Sequence, residues 1–272
     1  MNIIDFHTHI FPDKIAKQAL ATLAADSGEY VPRTDGTLNG LLASMDLAGV
    51  GASVVANIAT RPAQMLPIFD FCRHLAGPRI APLLSVHPDN ALNEVNALFQ
   101  QAAGAGIKGV KLHPMYQGFF IDDRKMYPLY QLIEHFGFFV VFHTGYDIAF
   151  PGNTQADVER VRTIADQFRE LVIVTTHVGG WRQWDRAGIL GRCENVYTET
   201  SMALTEMSDA AFMQIVSEFD EDRVLFGSDS PWTDQKEMLD RTLLLRMSER
   251  RREKMLYRNA ATLLGLGAGG PS

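Results

Sequence analysis

The stretch Asp5-Phe6-His7-Thr8-His9 follows Ile3 and Ile4 directly, at the end of the first apolar run of the chain. On a strand, side chains alternate faces, so Asp5, His7 and His9 are expected on one side. Two imidazoles so spaced can grip a single cation, with a carboxylate behind them to orient one ring. Two histidines on one strand serve as often in packing or hydrogen bonding. The decision rests on where the other histidines of the chain fall.

Short apolar, β-type runs recur along the sequence, at Ile3–Phe6, Ser53–Ile58, Ile80–Val86, Ile107–Leu112, Phe138–Phe142, Leu171–Thr176, Val196–Thr200 and Arg223–Phe226. Several show no alternation, the pattern of parallel strands covered on both faces. Amphipathic stripes lie between them. Met65, Ile68, Phe69, Cys72 and Leu75 form one, and Leu92, Val95, Leu98, Phe99 and Ala102 another, with Asp89 and Asn90 as its expected caps. Val158, Val161, Ile164, Ala165 and Phe168 make a third, and Phe212, Ile215, Val216 and Phe219 a fourth after Ser208. The segment Trp181–Leu190 promises only a short helix.

Eight strands alternating with helices over about 250 residues point to a single (β/α)8 TIM barrel spanning residues 1–272. The competing reading is a doubly wound open sheet, but no Gly-x-Gly-x-x-Gly follows the first strand. The connection from Ile10 to about Leu38 is long, carries a helical piece of its own and is expected over the barrel mouth. Residues Gly265 to Ser272 read as a frayed tail.

Composition narrows the function classes. The 272 residues carry a net charge of −7, and the densest basic cluster, Arg250-Arg251-Arg252, is flanked by Glu249 and Glu253, so no nucleic-acid surface is expected. No apolar run approaches the roughly 20 residues a membrane span needs. Met1 and Asn2 lead straight into the first strand, so no secretory leader is expected. The two cysteines, Cys72 and Cys193, lack metal-type spacing and read as reduced thiols of a cytoplasmic protein.

In a barrel of this kind, chemistry sits at the C-terminal ends of the strands. His7 and His9 end strand one, His87 strand three, His113 strand four, His143 strand five and His177 strand six, so six of the eight histidines fall at one rim. His74 and His135 lie near helix ends, where a cation suits the helix dipole. Strand eight runs into Phe226-Gly227-Ser228-Asp229-Ser230-Pro231-Trp232, and strands eight and one are neighbours in a closed barrel. Histidines and an aspartate are the nitrogen and oxygen ligands Zn²⁺ accepts, and they would equally hold Mn²⁺, Fe²⁺, Co²⁺ or Ni²⁺. Such an ion acidifies bound water toward neutral pH, and a further histidine can take its proton.

Asp5-Phe6-His7-Thr8-His9, Gly109-Val110-Lys111-Leu112-His113-Pro114, Phe142-His143-Thr144-Gly145, Thr176-His177-Val178-Gly179-Gly180 and Phe226-Gly227-Ser228-Asp229 together resemble, in order, motifs of the amidohydrolase superfamily. The nearest likeness is the amidohydrolase-related branch that includes aminocarboxymuconate-semialdehyde decarboxylase. The segment Tyr257-Arg258-Asn259-Ala260-Ala261-Thr262-Leu263-Leu264-Gly265-Leu266 is similar to the closing helix of that branch. The resemblance implies His7, His9, His143 and Asp229 as ligands of one divalent ion, most simply Zn²⁺. It implies His177 as the catalytic histidine, with Asp229 also able to shuttle a proton. It leaves open whether Lys111 is a carboxylated bridge between two metals, as in some members, or a free cation for a substrate carboxylate.

For the substrate region the sequence offers Lys111, His113, Arg61, Tyr116 and Trp232 as binding residues. His87 joins them as a lining residue. Met115, Phe119 and Phe120 are a candidate apolar wall, and Glu199 and Ser201 candidate supports behind the ligands. Two activities remain open. Hydrolysis of a C–N, ester or lactone bond of a small molecule is favoured, because His7 stands where several decarboxylases of the branch carry glutamate. Non-oxidative decarboxylation of a small, aromatic carboxylate is the alternative. A homodimer is the expectation the resemblance brings.

Overall fold

The computed structural model describes residues 2–28 and 30–266. All eight expected strands form: β1 (Ile4–Thr8), β2 (Ala52–Ala56), β3 (Ile80–Leu83), β4 (Gly109–Leu112), β5 (Phe139–Phe142), β6 (Ile173–Thr175), β7 (Val196–Glu199) and β8 (Val224–Leu225). They pair in parallel in two arcs, β1-β2-β3 and β4-β5-β6-β7-β8. The arcs meet at both seams. At one, Leu84 N donates to Gly109 O at 3.0 Å and Lys111 N to Leu84 O at 2.7 Å. At the other, Phe6 N donates to Phe226 O at 2.7 Å and Asp229 N to His7 O at 2.8 Å. The ring of strands is thus continuous, a (β/α)8 barrel; the pairing of the first strand with the last excludes the open sheet.

The helices, in order, are α1 (Asp13–Ser27), α2 (Leu38–Ala48), α3 (Met65–Leu75), α4 (Leu92–Gly104), α5 (Pro114–Gln117), α6 (Tyr127–His135), α7 (Val158–Gln167), α8 (Trp184–Gly191), α9 (Ala203–Glu206), α10 (Asp209–Val216), α11 (Gln235–Leu244), α12 (Glu249–Glu253) and α13 (Asn259–Leu264). Their apolar stripes cover the outside of the barrel: Met65, Phe69, Cys72 and Leu75 of α3 are buried, as are Val95, Leu98, Phe99 and Ala102 of α4. Ser208 caps α10 by accepting from Ala211 N. The cap expected for α4 is different. Ala91 occupies that position, and Asn90 Oδ1 instead accepts from His87 N at 2.8 Å, tying the loop after β3 to itself.

Inside the ring, Ile4, Phe6, Val54, Val141, Val174 and Leu225 pack with Ala260, Ala261 and Leu264 of α13. This C-terminal helix plugs the N-terminal end of the barrel, so only the opposite mouth is left for chemistry. Over that mouth lies α1, within the long connection from β1, as expected. Of the expected frayed tail, Gly265 caps α13 in the left-handed conformation, and residues 267–272 lie outside the described ones. Among the described residues, no helix is long and apolar enough to cross a membrane.

One departure lies within Asp5-Phe6-His7-Thr8-His9. Asp5 pairs with Ser53, but Thr8 pairs with Val55, so β1 contains one residue more than its partner over this span. Such a bulge reverses the alternation of faces. Asp5 therefore does not share the face of His7. Its carboxylate accepts from Ser228 N at 2.9 Å, Ser228 Oγ at 2.5 Å and Gln235 Nε2 at 2.7 Å. Gln235 opens α11, on the outer side of the barrel wall.

Candidate metal centre

Backbone geometry at the strand ends brings the ligand atoms together. Asp229 and His177 both sit in the left-handed region, at φ 70° and 57°, which non-glycine residues rarely adopt. Strain of this kind persists where the surroundings dictate it, and it clusters at functional sites. Gly227 is required by the close approach of β8 to β7: a Cβ there would lie 2.2 Å from Glu199 Oε2.

The tautomers follow from the partners. His7 Nδ1 lies 2.9 Å from Glu199 Oε1, a carboxylate that only accepts, so Nδ1 carries the proton and Nε2 the lone pair. His9 Nδ1 lies 2.7 Å from the carbonyl of Ala56, with the same consequence for its Nε2. His177 Nδ1 faces the Ser201 carbonyl at 3.1 Å, which leaves its Nε2 free in turn. The two lone-pair nitrogens of His7 and His9 are 3.0 Å apart. Asp229 Oδ1 stands 3.2 Å from His9 Nε2 and 3.6 Å from His7 Nε2, buried, with no group donating to it in hydrogen-bond geometry. Three lone pairs facing one another without a proton between them repel. A cation among them removes the conflict, and Glu199 and Ala56 O act as the outer partners that metal-binding histidines characteristically have. The donor set fits a divalent ion.

Charge agrees with geometry. Burial lowers the pKa of His7, takes His177 down to about 4, and with the neighbouring His113 holds His143 well below the usual imidazole range. These rings are neutral at pH 7. Burial alone would raise Glu199, yet the His7 imidazole and the hydrogen bond to it hold this carboxyl at about 2. Burial works likewise against Asp229, and the surrounding histidines outweigh it and keep the group ionised. Lys111 is fully buried, its Nζ has no hydrogen-bond partner, and burial draws its pKa down to about 8 against the pull of Asp229, Glu199 and Asp147. Three carboxylates therefore face one ammonium, an excess of two negative charges that a divalent cation would balance.

The expected ligand quartet is not gathered as a single cluster. Ligand atoms of His7, His177 and Asp229 lie within 4.8 Å of one another, with His9 against them. His143 falls in a neighbouring cluster with His113 and Asp147. Its ring stacks on His113 at 4.2 Å, its Nε2 lies 2.9 Å from Tyr146 O, and Asp147 Oδ2 is 3.5 Å away. The bond to Tyr146 O places the proton of neutral His143 on Nε2 and leaves its lone pair on Nδ1. The ring meets His177 edge-on at 5.0 Å, so the two clusters adjoin. Asp147, which the sequence reading passed over, also receives His113 Nε2 at 3.3 Å. The signal was present as a carboxylate four residues past a rim histidine, but only the path of the loop turns it inward.

A cavity of about 940 Å³ opens from this centre to the surface, and Arg61, Lys111, His113, Tyr116 and Trp232 all line it. Glu199 and Ser201 support the ligands from behind: Ser201 Oγ bridges Glu199 Oε1 at 2.8 Å and His177 Nδ1 at 2.9 Å. Other expectations are corrected. His87 does not line the cavity; it belongs to the loop held by Asn90, and its Nδ1 accepts from Asp89 N at 3.2 Å. Met115 and Phe119 are core residues, and Phe120 lies outside under Arg160. Asp5 serves the β1–β8 seam. His74 and His135 sit in the last turns of α3 and α6, away from the centre.

The barrel thus carries a candidate divalent-metal centre at the ends of its strands. The chain belongs to the Amidohydrolase family, whose pattern matches residues 4–266. Among solved structures, an uncharacterised TIM-barrel protein from Bordetella bronchiseptica is similar with a TM-score of 0.79 and 23% identity, over 98% of this chain and 99% of that one. A 2,6-dihydroxybenzoate decarboxylase complexed with 2,6-dihydroxybenzoate follows at a TM-score of 0.73 and 14% identity, over 98% and 100%. A mutant 5-carboxyvanillate decarboxylase from Novosphingobium aromaticivorans, with bound manganese and 3-methoxy-4-hydroxy-5-nitrobenzoic acid, gives 0.72 and 14%, over 97% of each chain. At these identities the likeness establishes the fold. A comparison with curated proteins finds no match.

Proposed function

We propose that the protein is a metal-dependent, non-oxidative decarboxylase of a small aromatic carboxylate. The observation that carries this reading is Lys111. The Lys111 ammonium is buried and lines the same cavity as Asp229, and its Nζ donates to no group of the chain, so its hydrogen-bond donors are left for a ligand. With the excess negative charge balanced by a divalent ion, a substrate carboxylate is the acceptor that suits those donors. The aromatic and apolar surfaces of Tyr116, Trp232 and Ile58 suit a flat ring beyond it. The likeness to two aromatic-acid decarboxylases supports the choice of reaction.

His7, His9 and Asp229 would hold the ion, with His143 Nδ1 completing the set and His177 beside it. When bound, the ion supplies Lewis acidity that draws electron density from the substrate. The residues of the chain do the rest. Lys111 attracts the acid and fixes its orientation. The carbon–carbon bond to the carboxylate breaks, CO2 leaves, and the electron pair stays on the ring carbon, which must take up a proton. Asp229 and His177 both face the centre and can carry that proton; Ser201 and Glu199 keep the His177 and His7 rings in position.

Retention of histidine at position 7 favours a second reading, hydrolysis of a C–N, ester or lactone bond. One experiment separates the two. Protein loaded with Zn²⁺ or Mn²⁺ is given carboxyl-¹³C-labelled dihydroxybenzoates and 5-carboxyvanillate, and in parallel a panel of lactones and amides. Release of ¹³CO2, lost in Lys111→Met, is expected. Turnover of lactones or amides with no ¹³CO2 from any acid would overturn the decarboxylase reading.

A further inference from the structure

The cavity is larger than a one-ring acid needs. At about 940 Å³ it lies at the upper end of the range for sites that enclose drug-sized ligands. Its inner end holds the ligand residues and Lys111, and its outer end runs between α1 and α3. There α1 has an unusual surface. It carries two adjacent apolar rows where a single one is enough to seat a helix. Ala16 and Leu20 form the buried row, at 1% and 7% exposure. Ile15, Ala19 and Leu23, four residues apart, form a second row that lines the cavity, and Ile15 is 51% exposed. Pro67, Ile68 and Phe71 of α3 line it as well. Lys14, Gln18 and Thr22 of α1 line it too; Gln18 Nε2 donates to Thr22 Oγ1 at 3.4 Å, and Thr22 Oγ1 donates to Gln18 O at 3.0 Å.

We infer that this trough is a second subsite, and that the substrate is a carboxylate with an apolar extension, a hydrocarbon chain or a second ring, that lodges between α1 and α3. The proposal rests on the preceding reading only for the carboxylate end. It explains why apolar side chains face an open cavity when polar ones would cost less in water. The occupant is the far end of the molecule held at Lys111, because the trough and the inner site are one continuous cavity. The same trough gives α1 a role in selecting substrates.

The test is direct binding to the metal-loaded protein, measured by calorimetry, of benzoate and its 4-ethyl, 4-butyl and 4-hexyl derivatives. Affinity should rise about two- to fourfold per added methylene, the gain expected for burying a CH2 group. Ala19→Trp, which fills the trough, should weaken 4-hexylbenzoate at least tenfold and flatten the series. Ala103→Trp, on the exposed face of α4, should leave the slope intact. 4-Hexylphenol, which has no carboxylate, should still bind the wild type and lose affinity in Ala19→Trp. A series without chain-length dependence, or equal effects of the two tryptophan variants, overturns the trough. Failure of every acid to release CO2, with chain-length dependence retained, overturns the decarboxylase reading and leaves the trough standing.

Discussion

Glu199 is a buried carboxylate that does not line the cavity yet orients a residue of the centre. By accepting from His7 Nδ1 it turns the lone pair of Nε2 toward His9 and Asp229. Glu199→Gln keeps the shape and removes the charge, so metal affinity should fall about 10- to 100-fold with the fold intact. Competition with a chromophoric chelator measures it, and unchanged affinity would mean that His7 needs no charged partner. His177 tests the division of labour. One of its ring nitrogens lies among the ligand atoms, whereas the family resemblance assigns it to proton transfer. His177→Ala is expected to keep its metal and to lose about 10²- to 10⁴-fold in kcat. Metal content and turnover measured on one preparation decide it; loss of the ion would make His177 a ligand.

Among the elements, the seam between β1 and β8 carries the clearest pH signature. Burial raises the Asp5 carboxyl from 3.8 to about 6, while Ser228 and Gln235 donate to it across the seam. The folded protein thus holds this proton to a higher pH than the unfolded chain does. The stability contributed by Asp5 is full below about pH 4 and is lost as the pH rises through 6, a change of ~3 kcal/mol. Asp5→Asn does not titrate, so the stability difference between wild type and variant should shrink by that amount from pH 4 to pH 7. Urea unfolding across this range measures it, and a constant difference would contradict the burial argument. This seam also shows where the sequence stops being readable. The strands were legible because parallel strands buried on both faces must be apolar throughout, and that pattern also fixed which residues end them. The bulge in β1 was not legible, since one extra residue leaves no mark in composition, yet it sent Asp5 outward and left Glu199 to orient His7. Asp147 escaped for a related reason. Its approach to His113 and His143 depends on a loop that turns at Gly145, φ 81°, where a Cβ would lie 2.2 Å from Trp181 N. The aromatic residues after β4 gave a composition without a direction, and only Tyr116 reached the cavity.

At the scale of the whole molecule, the barrel is closed at one end by α13 and organised at the other by charges that need a counter-ion. Two unbalanced carboxylates in a buried site destabilise the metal-free fold, so chelation should be felt by the entire domain. With free ion at about 100 times its dissociation constant, binding adds about 2.7 kcal/mol to stability. For a chain of this size, that corresponds to a fall in Tm of about 5–10 °C on chelation, readable by calorimetry; an unchanged Tm would argue against a resident ion. The most direct test of the account is the number of ions held per chain. Elemental analysis of the protein after equilibrium dialysis against Zn²⁺ or Mn²⁺ should give one ion per chain, falling well below one in Asp229→Ala and His9→Ala and remaining at one in His74→Ala. Two ions per chain, with Lys111 found carboxylated by mass spectrometry of the intact protein, or none at all, would contradict it.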